Sequence, residues 1–208
     1  FKDTDTVLFI PYARPSGISY EEYTVIAKKG FKRIDKKLIG IHTFDNPIEA
    51  IKNAKGIFTG GGNTFLLVSK LYEHNLLTPL KESILKGTPY LGTSAGSNIA
   101  GVNMRNTNDM PIVYPPSFTT LGIIPFNINA HYLDPDPNST HKGETRETRI
   151  KEFHQYNETP VVGLREGSWI RVQKNKCILE GKELTARVFE KNKEPNEIAP
   201  NASLLHLK

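Results

Sequence analysis

Short apolar runs alternate with helix-patterned stretches through the first half of this chain, and that rhythm limits its architecture more than any other feature. Thr6–Ala13 (TVLFIPYA) reads as a buried strand. Ser19–Ile34 reads as a helix, with Ser19 as N-cap and Glu22 three residues later completing a capping box. Leu38–Phe44 (LIGIHTF) reads as a strand. A short helix then starts at the cap Asn46, with Pro47 in its first turn. Gly56–Gly60 (GIFTG) and Thr88–Thr93 (TPYLGT) are two more strands, separated by two helical pieces that break near Pro79. Continuous apolar runs mark strands buried on both sides. The pattern therefore predicts an α/β fold with a mostly parallel sheet and helices on both faces.

The second half is less regular. Pro111–Pro125 is mostly loop, Phe126–Tyr132 (FNINAHY) a strand, Gly143–Tyr156 a helix and Val161–Leu164 a strand. Ser168–Gly181 reads as a hairpin turning at Lys174–Asn175, and the tail adds short strands, giving a smaller β-rich C-terminal part. No repeat, linker or low-complexity tract interrupts the sequence. Its 208 residues are enough for one sizeable core, so residues 1–208 are read as a single catalytic domain.

Composition excludes several classes. No apolar run is long enough for a membrane helix. One cysteine, Cys177, precludes an internal disulfide and fits a reducing compartment, the cytoplasm; it reads as a core or hairpin residue. The net charge is +5, but the basic residues Lys28, Lys29, Lys32, Arg33, Lys36 and Lys37 lack interleaved aromatics. They read as a solvated helix end, and no nucleic-acid partner is expected. No signal peptide is evident, and a start at Phe1, five residues before the first strand, is read as an N-terminal piece either removed or lying outside this sequence.

Gly92-Thr93-Ser94-Ala95-Gly96 matches G-x-S-x-G between a strand and a helix-compatible stretch. In a nucleophile elbow the serine enters a strained backbone region, and the flanking glycines leave room where a Cβ would clash. The competing reading is a glycine-rich turn that happens to hold serine. A second glycine run, Phe58–Phe65 (FTGGGNTF), also ends a strand and opens a helix. N–H groups of Gly62 and Ala95 would make a two-donor oxyanion hole. A phosphate cradle is disfavoured, because the run lacks a P-loop lysine and spacing.

A serine nucleophile needs a base. His74 and His154 lie in helices among polar neighbours and read as surface residues; His42 lies within a strand and His206 in the tail. His131 and His141 occupy the loop-rich half. His131 follows a short strand whose end would deliver it to the same sheet edge as Ser94. No zinc spacing such as H-E-x-x-H occurs, and no metal or cofactor is expected.

Together, FTGGGNTF, GTSAGSN, TNDMPIV, INAHY, HKGETRETRI and VVGLREGSWI resemble the peptidase E family of serine peptidases, which also contains cyanophycinase. The resemblance runs from FIPYA to at least REGSW. It implies a fold like that of class I glutamine amidotransferases, with serine in place of their cysteine. It also implies hydrolysis of Asp-Xaa dipeptides through an aspartyl-enzyme, by a monomer or homodimer. By motif, Ser94 would be nucleophile and His131 base. The acid that orients His131 is either Asp109, which keeps the order Ser, acid, His, or Glu166, which follows a strand end. Arg146 would meet the substrate β-carboxylate, while Arg149 reads as a surface ion-pair partner. Asn63 or Asn98 would meet the free α-amine. A related cyanophycinase-type or esterase activity, or a non-catalytic binding module on the same scaffold, are the alternatives. The family usually carries one more strand before this chain's first residue.

Overall fold

In a computed structural model, all residues are described except Ser16, Ser139, His141 and Lys208. The chain forms two compact units. The first comprises Phe1–Met104 and Asp109–Ile123, the second Arg105–Asn108 and Ile124–Lys208.

The first unit holds β1 (Thr6–Ile10), α1 (Tyr20–Lys32), β2 (Lys37–Gly40), α2 (Pro47–Asn53), β3 (Ile57–Thr59), α3 (Thr64–Glu73), α4 (Leu77–Leu85), β4 (Tyr90–Gly92) and α5 (Ala95–Asn98). Its four strands are all parallel, in the order β2-β1-β3-β4. Alternation along β1 explains why both faces are covered. Val7 and Phe9 pack with Tyr23 and Phe31 of α1. Leu8 and Ile10 point the other way, into a core with Ile51 of α2, Leu67 and Leu71 of α3 and Leu80 of α4. The strand order reverses between β1 and β3, and in such sheets the crevice beyond the strands' C-terminal ends is where ligands bind.

The local signals account for the helix starts. Ser19 accepts from the Glu22 N–H at 3.1 Å while the Glu22 carboxylate accepts from the Ser19 N–H at 2.6 Å, closing the capping box. Asn46 caps α2, with Pro47 at its first turn. Two expectations change. The strand expected over Leu38–Phe44 ends at Gly40, and Ile41–Thr43 form a 3-10 turn, so His42 is not in a strand. Its Nε2 lies 3.2 Å from Glu21 Oε2 instead. The helical break falls at Asn75, whose φ is +55°, not at Pro79. Pro79 lies in the first turn of α4, where its missing N–H costs no helical bond.

The second unit holds β5 (Asn127–Ala130), α6 (Arg146–Tyr156), β6 (Val161–Leu164), the hairpin β7 (Ser168–Gln173) and β8 (Lys176–Gly181), β9 (Ala186–Phe189) and β10 (Asn196–Ile198). Its larger sheet runs β10-β9-β6-β5, with β5 and β6 parallel and β9 antiparallel to its neighbours. Ile150, Phe153 and His154 face inward at helical spacing, and Ile150 and Phe153 pack with Tyr132, Val161 and Phe189. His154, expected at the surface, is therefore buried, and its Nε2 lies 3.0 Å from the Thr159 carbonyl oxygen. Cys177 is buried in β8, which pushes its thiol pKa up to about 11.

Candidate active site

In the first unit, the β3–β4 register pairs Thr59 with Gly92, so the glycine loop and the serine turn leave neighbouring strand ends side by side. A Cβ on Gly61 would lie 3.0 Å from Ser94 Cβ and 3.7 Å from Ser94 Oγ. Ser94 itself adopts φ +52°, ψ −111°, a region that costs a non-glycine residue about 1–3 kcal/mol. Tight backbone packing holds it there. A Cβ on Gly92 would meet the Gly96 carbonyl oxygen at 2.2 Å, and one on Gly96 the Thr59 carbonyl oxygen at 2.3 Å. Both glycines of G-x-S-x-G are thus required by close approach. The Tyr90 hydroxyl donates to the Gly96 carbonyl at 2.7 Å and the Ser97 hydroxyl to the Gly92 carbonyl at 2.9 Å. Ala95 opens α5, where a first-turn N–H has no intrahelical acceptor.

Gly62 has φ +144°, and a Cβ there would lie 2.2 Å from the Ala13 carbonyl oxygen. The buried Tyr23 hydroxyl donates to the Gly61 carbonyl at 3.0 Å. A trans peptide directs its C=O and N–H oppositely, so this bond turns the Gly62 N–H away from Tyr23. Tyr23 is a residue that sequence reasoning missed, since nothing in the local pattern of α1 ties its hydroxyl to a loop 38 positions away.

Asn63 and Asp109 brace this loop. The Asn63 carboxamide oxygen accepts from the Leu66 N–H at 3.0 Å, as N-cap of α3, and its NH2 donates to the Met110 carbonyl at 2.8 Å. Asp109 Oδ2 accepts from the Thr64 N–H at 2.7 Å, placing a carboxylate at the start of α3. Asn98 is buried and donates to the Thr64 hydroxyl at 3.0 Å.

In the second unit, β5 pairs with β6 in the register Ala130–Leu164, and the chain leaves both strands at the same end. His131 follows Ala130 at φ +56°, with Nδ1 hydrogen-bonded to Glu166 Oε1. Glu166 sits in a turn closed by the Ser168 N–H donating to the Arg165 carbonyl at 3.2 Å, with Gly167 at φ +87°. Of the two candidate acids, the structure brings Glu166 to His131 and engages Asp109 with α3. Arg146 is the first residue of α6 and half-buried. Arg149 is exposed, 3.9 Å from Glu144. His141 lies outside the described residues.

An ion network neighbours the His131–Glu166 pair. Arg165 forms a two-pronged contact with Asp134, Nε to Oδ2 at 2.8 Å and Nη2 to Oδ1 at 2.6 Å, and bonds both carboxylate oxygens of Glu197 at 2.9 and 3.0 Å. Arg187 joins Glu197 to Glu147. Hydrogen bonds from Arg165, then from Thr185 and Arg187, offset the cost of partial burial and pull the Glu197 carboxyl pKa down to about 2. Asp134 is likewise held low, chiefly by its bond from Arg165. Among the described residues, no three His, Cys, Asp or Glu side chains gather closely enough to hold a metal ion, and no helix is long and apolar enough to cross a membrane.

The chain is similar to known proteins along most of its length. Peptidase E of Streptomyces coelicolor is 46% identical over 199 residues, 96% of this chain and 80% of the relative. A protein of Drosophila melanogaster described as "Probable alpha-aspartyl dipeptidase" is 46% identical over 203 residues, 97% of this chain and 83% of the relative. A solved peptidase from an acI-B1 Actinobacterium shares the fold with a TM-score of 0.71 at 18% identity, over 96% of this chain and 82% of that one. The model of peptidase family S51 matches residues 1–180, and with the two relatives at 46% identity this places the protein in that family of serine-type peptidases.

Proposed function

We propose that this protein is a cytoplasmic dipeptidase that removes N-terminal aspartate from Asp-Xaa dipeptides, with Ser94 as the covalent nucleophile. The observation that carries the reading is the backbone of Ser94. A serine held at φ +52° between two glycines that close backbone approach requires, and against a third, is the strained strand-to-helix corner of a nucleophile elbow. The names and near-complete alignment of the relatives support the aspartyl specificity.

In this reading, His131 takes the hydroxyl proton as Ser94 attacks the aspartyl carbonyl. N–H groups of Gly62 and Ala95 hold the developing oxyanion. His131 returns the proton to the leaving amine, and water then releases aspartate from the acyl-enzyme. Glu166, bonded to Nδ1, fixes the tautomer that leaves Nε2 as the base. Arg146 would pair with the substrate β-carboxylate, a contact suited to a planar guanidinium.

The test is turnover of Asp-Leu, Asn-Leu, β-aspartyl-arginine and a simple ester by the wild type, Ser94→Ala and Arg146→Ala. We expect cleavage of Asp-Leu far above the others and a loss of order 10⁶ in kcat for Ser94→Ala. Arg146→Ala should shrink the Asp/Asn preference. A tenth of wild-type activity left in a folded Ser94→Ala would rule out the nucleophile, and preference for β-aspartyl-arginine or the ester would move the enzyme to the corresponding alternative.

A further inference from the structure

We propose that Arg165 is a positioning residue for the His131–Glu166 pair, acting through Asp134. The proposal deepens the catalytic reading above and rests on it for the role of His131. Arg165 immediately precedes Glu166, and Asp134 follows His131 by three residues. The segments that leave β5 and β6 are therefore tied twice, once by His131 and Glu166 and once by Asp134 and Arg165. A single tie leaves two loop ends free to twist about it, whereas two ties fix their separation and their relative rotation.

The need for a second tie comes from the backbone. His131 at φ +56° has no glycine to relieve it, and a side chain held in that region persists only where its surroundings over-determine it. The next residue supplies part of this. Tyr132 is buried, its N–H donates to the Leu164 carbonyl at 3.1 Å, and its ring occupies the hollow over Gly163, where a Cβ would come within 2.6 Å. Arg165 lies over the same ring, Cζ 5.6 Å from its centroid, and spends its remaining donors on the Thr185 carbonyl and Glu197. Its side chain is only 17% exposed, and its contact to Asp134 is two-pronged, the geometry in which an arginine pair restricts orientation instead of merely adding charge. Exposed ion pairs of one contact seldom matter to stability. The consequence expected here is local: without the clamp, His131 relaxes and its imidazole leaves Glu166.

The experiment compares wild type, Arg165→Met, Arg165→Lys and Asp134→Ala well below their melting temperatures. Two readouts are taken: steady-state kinetics on Asp-Leu, and the low-field proton resonance of the His131 Nδ1–H bonded to Glu166, assigned by its loss in His131→Ala. We expect kcat to fall about a hundredfold in Arg165→Met and about tenfold in Asp134→Ala, with KM nearly unchanged, as for a misplaced catalytic group. The low-field resonance should broaden or vanish in both. Lysine keeps the charge but cannot fork, so Arg165→Lys should resemble Arg165→Met. Wild-type kcat in folded variants, or an unchanged resonance, would overturn the proposal, as would absence of the resonance from the wild type, which would leave no pair to position. Should Arg165→Met fail to fold, Asp134→Ala, altered at a half-exposed site, decides by the same two readouts. The resonance needs no substrate, so the clamp is tested even if Asp-Leu is not cleaved.

Discussion

His131 and Glu166 meet because Ala130 and Leu164 are partners in adjacent parallel strands, so residues that follow those partners emerge together. The carboxylate beside His131 is then set by strand register, independently of the order of residues in the chain. Glu166→Gln preserves the shape but cannot stabilise an imidazolium as a carboxylate does. In a well-studied serine protease the equivalent change costs about 10⁴ in kcat. Both side chains here face water, where the charge is better screened, so we expect the lower loss of about 10²–10³-fold, with KM little changed. Kinetics on Asp-Leu with a thermal melt checks this, and a Glu166→Gln enzyme within a few-fold of wild type would remove the carboxylate from the mechanism.

Asp109 gives a different expectation. Its Oδ2 accepts from the Thr64 N–H at the first position of α3, so it acts there as an anion at a helix start. Asp109→Ala should lower stability by about 1 kcal/mol, the usual worth of such a cap. Urea unfolding followed by circular dichroism measures it, and an unchanged midpoint would show that the contact contributes nothing.

Glycines in the two halves of a single unit should respond with opposite sign. A Cβ on Gly96 would meet β3 backbone at 2.3 Å, and backbone in a sheet centre cannot step aside. Gly96→Ala should cost about 1–3 kcal/mol or abolish soluble expression. Gly30, in α1, has nothing within 4 Å of an added Cβ, and Gly30→Ala should stabilise by about 0.5–1 kcal/mol. Melting temperatures that move in the same direction for both would contradict the packing argument.

Much of this was legible in the sequence because it is written in local chemistry. Ser19 with Glu22 and Asn46 with Pro47 fix helix starts through bonds that span three residues. The glycines of the Ser94 turn were readable because only close backbone approach needs them. What stayed hidden depends on contacts distant in sequence. Asp109 and Glu166 were indistinguishable until the β5–β6 register placed one of them beside His131. The Tyr23 bond to Gly61 spans 38 positions, and Arg165 finds Asp134 and Glu197 across 31 and 32. His154 was a different failure. Its spacing of four from Ile150 put it on the inward face, but its polar neighbours, taken without the helical period, pointed outward.

The Glu197 carboxylate should make stability depend on acid. Arg165 faces it with two bonds, Arg187 with one at 3.2 Å and the Thr185 hydroxyl with another, while Asp134 lies across the same guanidinium. These contacts hold its folded-state pKa at about 2, and Asp134 is lowered by the same guanidinium. An unfolded glutamate titrates near about 4.3. The unfolded chain therefore binds this proton more readily, so the stabilisation is complete above the unfolded value and is lost as pH falls from there toward 2. Glu197→Gln removes that titration, and its melting temperature should fall less steeply than the wild type's over the same acid range. At neutral pH the variant should be the less stable of the two, because Arg165 and Arg187 lose a shared anion. Parallel melting curves across the acid range would show that Glu197 titrates alike in the folded and unfolded chain, and that the network it joins does not respond to acid through it.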